Sequence, residues 1–324
     1  MKKNLIALTV LVLSLFIVTG CGGKTGPAGD SGTGAGSLLN YIPEDAVGYF
    51  SVNVAAISKF DIFKEAIEKD FKPSDKFKDY QDFVNKTGID LKTDLKGVVV
   101  GLLGANPMNK KDPDIVAVAG LKYNKEKLLN YIKSEGAKFT EEIYDGLTLY
   151  KMEEKGKIMN VAFPDAGHIL MASDSMVKKA VALFKGKGKS VLQNEKQKEY
   201  MSKLNNNALF SMVFNIPEQM RVKQNMGMGE VDFSKAECFL GSAWRSGSAY
   251  EVDLKLLSKN EEGNAKLVSL FGMVKMMGAN QPDYKELIEG IKISSDANMI
   301  HLTMSISDEF LKKMKDKTKA MFGK

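Results

Sequence analysis

Of the 324 residues, two are cysteine, two are histidine and one is tryptophan, and arginine occurs only at Arg221 and Arg245. Two histidines and one cysteine besides Cys21 cannot build a Cys/His zinc site, and neither Cys-x-x-Cys nor His-Glu-x-x-His is present. There is no EF-hand loop for calcium and no Gly-x-Ser-x-Gly elbow for a serine nucleophile. With 44 of the 46 cations supplied by lysine, the planar fork suited to phosphates and base edges is almost missing. The net charge of +6 includes Lys2 and Lys3 of the leader, so the rest of the chain is only weakly basic. Nucleic-acid binding is therefore disfavoured, no metal or cofactor is expected, and the chain is expected not to be an enzyme.

What is present is a globular composition, 44% hydrophobic, that suits one large or two medium domains. The lysines are mixed with acids, as in Glu68-Lys69-Asp70 and Lys125-Glu126-Lys127, the pattern of solvated helix faces.

The first twenty residues have the form of a secretory leader: cationic Met1 to Asn4, then an apolar run from Leu5 to Val18 that is too short to span a bilayer. Val18-Thr19-Gly20-Cys21 follows, and it resembles the lipobox of bacterial lipoproteins. The resemblance implies cleavage before Cys21, a diacylglyceryl group on its thiol and acylation of the new N-terminus; several chains together anchor firmly where one would be marginal. It also implies a cell-envelope location, with Gly22 in place of Asp suiting the outer membrane, facing the periplasm, in a Gram-negative host. Residues 21–37 are glycine-rich, with Gly23, Gly26, Gly29 and Gly32 three apart. So few triplets make a flexible tether rather than a collagen helix. Gly29-Asp30-Ser31-Gly32 and Gly32-Thr33-Gly34-Ala35-Gly36 mimic a protease segment and a phosphate loop, but neither sits on a strand-turn-helix.

The body alternates short apolar strands with amphipathic helices and has turns at hairpin spacing, which predicts an α+β fold with antiparallel sheets. Strands are expected at Val47–Val54, Val98–Leu103, Ile115–Leu121, Leu147–Met152, Ile158–Phe163 and His168–Ala172. Helices are expected around Ser58–Lys69, Ser74–Lys86, Asn124–Ser134 and Ser175–Phe184. The second half repeats this order in shortened form, and two stretches match residue by residue. Ala46-Val47 and Val52-Asn53-Val54 align with Ala208-Leu209 and Phe214-Asn215-Ile216 at a constant offset. His168-Ile169, Met171, Ser173-Asp174 and Lys178-Lys179 echo His301-Leu302, Met304, Ser307-Asp308 and Lys312-Lys313. We therefore expect two related lobes, residues 38–189 and a shorter 190–324, each an antiparallel sheet covered by amphipathic helices.

Chemistry-bearing residues are few. His168 and His301 each begin a strand, where a bonded imidazole is the ordinary role, and they could act as a pair only if the lobes face each other. Cys238 lies in a strand pattern and reads as a small buried apolar residue. Ser173, Asp174 and Ser175 read as helix-start residues. Methionine is plentiful at 18 residues, and the helix Asn264–Met277 is apolar on more than one side. Leu267, Phe271, Met273, Met276 and Met277 are therefore the candidate surface for an apolar ligand or partner. The last helix, Asp308–Met321, carries Phe310, Leu311, Met314 and Met321 on one side and lysines elsewhere.

Leu39-Asn40-Tyr41-Ile42-Pro43-Glu44-Asp45-Ala46-Val47, with Tyr144-Asp145-Gly146-Leu147 and the Ser173-Asp174 helix start, resembles uncharacterised bacterial envelope lipoproteins built of repeated α/β units. That family has no established activity, so no functional residue transfers from it. The expectation is a lipid-anchored, non-enzymatic envelope protein that meets the membrane through its lipidated N-terminus and binds a lipid or hydrophobic partner. A scaffold for envelope proteins, without a small ligand, is the alternative; a hydrolase using His168 or His301 is a third reading.

Overall fold

A computed structural model describes residues 35–60, 75–104, 114–154, 157–225, 230–279 and 285–314. The leader, Cys21 and most of the tether lie outside the described residues. Helix α1 (Ala35–Leu38) takes in the last three residues assigned to the tether, and Ala35 is buried.

The chain runs through β1 (Gly48–Val52), α2 (Val54–Ile57), α3 (Asp75–Thr87), α4 (Leu91–Asp94), β2 (Leu95–Leu103), β3 (Asp114–Leu121) and α5 (Lys125–Ser134). The meander β4 (Thr140–Tyr144), β5 (Leu147–Glu154), β6 (Lys157–Ala162) and β7 (His168–Ser173) follows, then α6 (Val177–Phe184) and α7 (Glu195–Met201). The second half contributes β8 (Phe210–Asn215), the small hairpin β9 (Lys223–Asn225) and β10 (Glu230–Asp232), β11 (Ala236–Ser246) and β12 (Ala249–Ser258). It ends with α8 (Glu261–Ala279), α9 (Lys285–Gly290), β13 (Lys292–Ser295), β14 (Met299–Ser307) and α10, helical over 308–314.

The fold is α+β and antiparallel, as the turn spacing predicts. The two expected sheets are joined edge to edge in one twelve-stranded sheet of order β13-β14-β12-β11-β8-β1-β2-β3-β7-β6-β5-β4. The join is the β1–β8 pair, where Phe50 faces Met212. These two residues also occupy equivalent places in the sequence echo, since both are 162 apart in the alignment of Ala46 with Ala208. The join therefore falls on a pair of echoed strands. Outward from it the orders β1-β2-β3-β7-β6 and β8-β11-β12-β14-β13 correspond, and β5 and β4 extend the first half alone.

Side chains alternate across this sheet, so each face can be followed by register. One face is covered in the first half by α1, the 3-10 turn Leu39–Tyr41 and α6, and near the join by α7, burying Leu38, Ile42, Tyr49, Val99, Leu170, Val181 and Tyr200. Two glycines of β2 allow this close cover. A Cβ on Gly97 would stand 2.8 Å from the Ala35 nitrogen, and one on Gly101 2.6 Å from the Ile42 Cγ2. The opposite face is covered by α2, α3 and α5 over the first half, and by α8 over the second through a smaller cluster around Leu267 and Ile300.

Local caps match local sequence. Asn124 accepts from the Lys127 amide at the start of α5. The helix expected from Asn264 begins earlier, at Glu261, where the Asn260 side chain accepts from the Gly263 amide. Asn264 instead points inward, donating to the carbonyls of Ser258 and Asp296, and so ties α8 to the sheet.

Candidate functional site

Between the sheet and the α3–α5 pair lies a cavity of about 130 Å³. Its floor is β3, where Ala117 and Ala119 stand between larger neighbours, Val98 in β2 and Ile169 and Met171 in β7. Leu128, Leu129 and Ile132 of α5 and Phe83 of α3 line the space opposite the two alanines. Phe139, Tyr150 and Phe163 complete the wall, with Tyr150 edge-on to both phenylalanines. The lining is almost wholly apolar, and such cavities stay dry and take apolar guests; about 150 Å³ suffices for benzene. At the edge, the Lys125 ammonium stands 5.4 Å from the Tyr150 ring and 5.8 Å from the Phe163 ring. None of these residues stood out as a site in the sequence. The available signal was the small-residue pair Ala117 and Ala119 in the middle of an otherwise bulky strand.

The surface expected on the long helix lies elsewhere, over the second half. Leu267 points inward and is buried against the sheet, whereas Phe271, Met273 and Met276 are 41%, 43% and 74% exposed. The Met277 side chain lies outside the described residues. The helix thus presents part of its apolar surface outward, and it does not border the cavity.

The two histidines are separated by the edge-to-edge arrangement. β14 and β7 are seven strand steps apart, roughly 34 Å at about 4.8 Å per step, so the pairing that facing lobes would have allowed does not occur. His168 is 7% exposed, with Nδ1 2.8 and 2.9 Å from the Asp165 oxygens and its ring edge-on to Tyr41 and Phe184. The Tyr123 hydroxyl donates to the carbonyls of Asp165 and His168, and together these contacts fasten the turn before β7. His301 Nε2 lies 2.7 Å from Asp253, which also pairs with Lys255. Neither imidazole lines the cavity.

Ser173 and Ser175 do not cap α6. Ser173 Oγ accepts from the Ile115 amide, and Ser175 donates to Asp114. Asp174 takes Asn160 and Lys151, and these bonds hold its carboxyl below the usual range. Its echo, Asp308, is held low in the same way by a two-pronged bond from Arg245. Cys238 is fully buried, and desolvation pushes its thiol up to about 12, which leaves it an unreactive packing residue at neutral pH. Among the described residues no group of three His, Cys, Asp or Glu could hold a metal, and no helix is long and apolar enough to cross a membrane.

No protein-family model matches the chain, and no curated protein matches it. Solved structures do share its architecture, that of an antiparallel α+β protein. The chain is similar to TP0453, a Treponema lipoprotein, in crystal form III, at a TM-score of 0.51 and 13% identity, covering 84% of this chain and 95% of that one. Crystal forms IV and I give TM-scores of 0.48 and 0.47 at 12% and 13% identity, covering 84% and 86% of this chain and 94% and 96% of theirs. At such identity the likeness establishes the fold alone.

Proposed function

We propose that the protein is a lipid-anchored component of a bacterial envelope that works by binding a lipid-like molecule rather than by catalysis. The cavity under α5 carries this reading. It has the composition of a ligand site, apolar walls with a single polar group at the edge, although it is smaller than sites for drug-sized molecules. At about 130 Å³ it receives the end of one acyl chain, and a longer segment requires α3 and α5 to move off the sheet. Lys125 is placed to meet an acidic head group. Anchoring at Cys21, with the tether leading to α1, brings the body to a membrane surface, and the lipoprotein neighbour supports an envelope association.

The test is lipid extraction and mass spectrometry of the full-length protein from its own membranes, compared with Ala117→Phe. An apolar molecule held stoichiometrically by the wild type and lost in the variant is expected; no retained molecule, or equal retention in a folded variant, refutes the reading. Cys21→Ser should abolish acyl labelling, and persistent labelling would refute the anchor.

The exposed side chains Phe271, Met273 and Met276 favour a second reading, in which α8 docks an envelope protein and the body acts as a scaffold. Such a patch on a polar surface is typical of contact sites.

A further inference from the structure

A second pocket, of about 490 Å³, opens on the opposite face of the sheet, where the two halves join. Its floor is Val47 and Asn215, tied together by bonds from the Asn215 amide and side chain to the Val47 carbonyl at 2.7 and 2.9 Å. One wall is the loop Glu44–Ala46, the next is Asn194, Lys196 and Gln197 around α7, and the third is the 3-10 turn carrying Pro217, Glu218 and Arg221. The chemistry is the reverse of the cavity's: no lining side chain is aromatic, and only Ala46, Val47 and Pro217 are apolar. This disfavours both a sugar ring, which wants a stacking partner, and an acyl chain.

Two observations point to a polar guest. The uncharged part of the lining is polar, made of Asn194, Gln197, Asn215 and Gln219. The charges of the wall are balanced. Asp45 is taken by Lys179, but Glu44 and Glu218, and likewise Lys196 and Arg221, make no ion pair among the described residues. The Arg221 Nε donates to the Ile216 carbonyl at 2.9 Å, which fixes the guanidinium and leaves the terminal nitrogens for a planar acceptor.

We propose that this pocket binds a small zwitterion, a free amino acid or short peptide. Its carboxylate lies on Arg221 and Lys196, and its ammonium lies by Glu44 and Glu218. The site is independent of the apolar cavity.

The test is equilibrium dialysis of the full-length protein in detergent against an enzymatic casein digest, with the retained molecules identified by mass spectrometry. Wild type should retain free amino acids or short peptides. Acetylating the digest, which removes the ammonium, should cut retention at least tenfold, about 1.4 kcal/mol. Arg221→Gln, a rim substitution that spares the core, should do the same. No retention by wild type, equal retention of the acetylated digest, or equal retention by folded Arg221→Gln overturns the proposal. Lipid retention should be unchanged in Arg221→Gln.

Discussion

The first half of the sheet is wrapped on both faces, whereas the outer strands of the second half are wrapped on one. In β2 and β3 both faces meet helices, and burial is nearly continuous along Leu95–Leu103 and Asp114–Leu121. In β12 and β14 the face toward α8 carries Leu254, Leu256, Ile300, Leu302 and Met304, while the other carries Glu251, Asp253, Lys255, His301, Thr303 and Ser305. That second face is organised by pairs such as Asp253 with His301 and Ser305 with Glu251, and among the described residues no helix is packed over it. The strand order is common to the halves but the cover is not. A strand plan can be kept while its burial changes, provided that the side chains on one face exchange apolar for polar character.

The sharpest way to break this comparison is a matched pair of substitutions. Leu170 in β7 is wholly buried, and its echo in β14 is Thr303, on the uncovered face. Leu170→Gln should cost about 3 kcal/mol or more, from lost burial and an unmet amide, and Thr303→Gln should stay within about 0.5 kcal/mol. Urea denaturation of both decides; equal losses would mean that the second half is covered after all. Next comes close approach. Gly97→Ala drives a methyl onto backbone at 2.8 Å and should cost about 2–3 kcal/mol. Gly241→Ala meets only the flexible ends of Met212 and Leu254, at 3.0 and 3.1 Å, and should cost less than about 1 kcal/mol by the same measurement.

Smaller, and sensitive to pH, is the pair of echoed carboxylates. Asp174 and Asp308 are both held below the ordinary carboxylate range in the folded chain, by Asn160 and by Arg245 as the first cause. A lowered folded value means that the stabilisation is present above the unfolded value and is lost as pH falls through the folded one. Asp308→Asn and Asp174→Asn should each flatten the acid limb of a stability-against-pH curve, Asp308→Asn more because Arg245 is only 11% exposed. An unchanged limb in both would show that these bonds do not persist in solution. Smallest in stability is Met276→Lys, expected within about 0.5 kcal/mol by thermal melting because the side chain is 74% exposed. It would nevertheless weaken capture of a partner through α8.

Much of this was legible in the residues. Tyr250-Glu251-Val252-Asp253-Leu254-Lys255 and Ile300-His301-Leu302-Thr303-Met304-Ser305 alternate strictly, the mark of strands with one wet face, while Val98–Leu103 and Ile115–Leu121 do not. What was missed has physical reasons. β4, Thr-Glu-Glu-Ile-Tyr, is an edge strand whose polarity protects an open side, so it does not read as a strand. α7 is a short, charged helix that declares itself only through Gln197 and Tyr200 packing inward. The apolar cavity escaped because Ala117 and Ala119 act by what they leave out. The echo at Ala46 and Ala208 was visible, but that the echoed strands would pair with each other was not, since a pairing partner is a long-range property.

That pairing has a consequence of its own. Because Phe50 meets Met212 across an antiparallel register, the edge of β1 away from β2 is closed by the strand that echoes it in sequence. One half produced alone would leave that edge unpaired. The continuous chain makes that union permanent and independent of concentration.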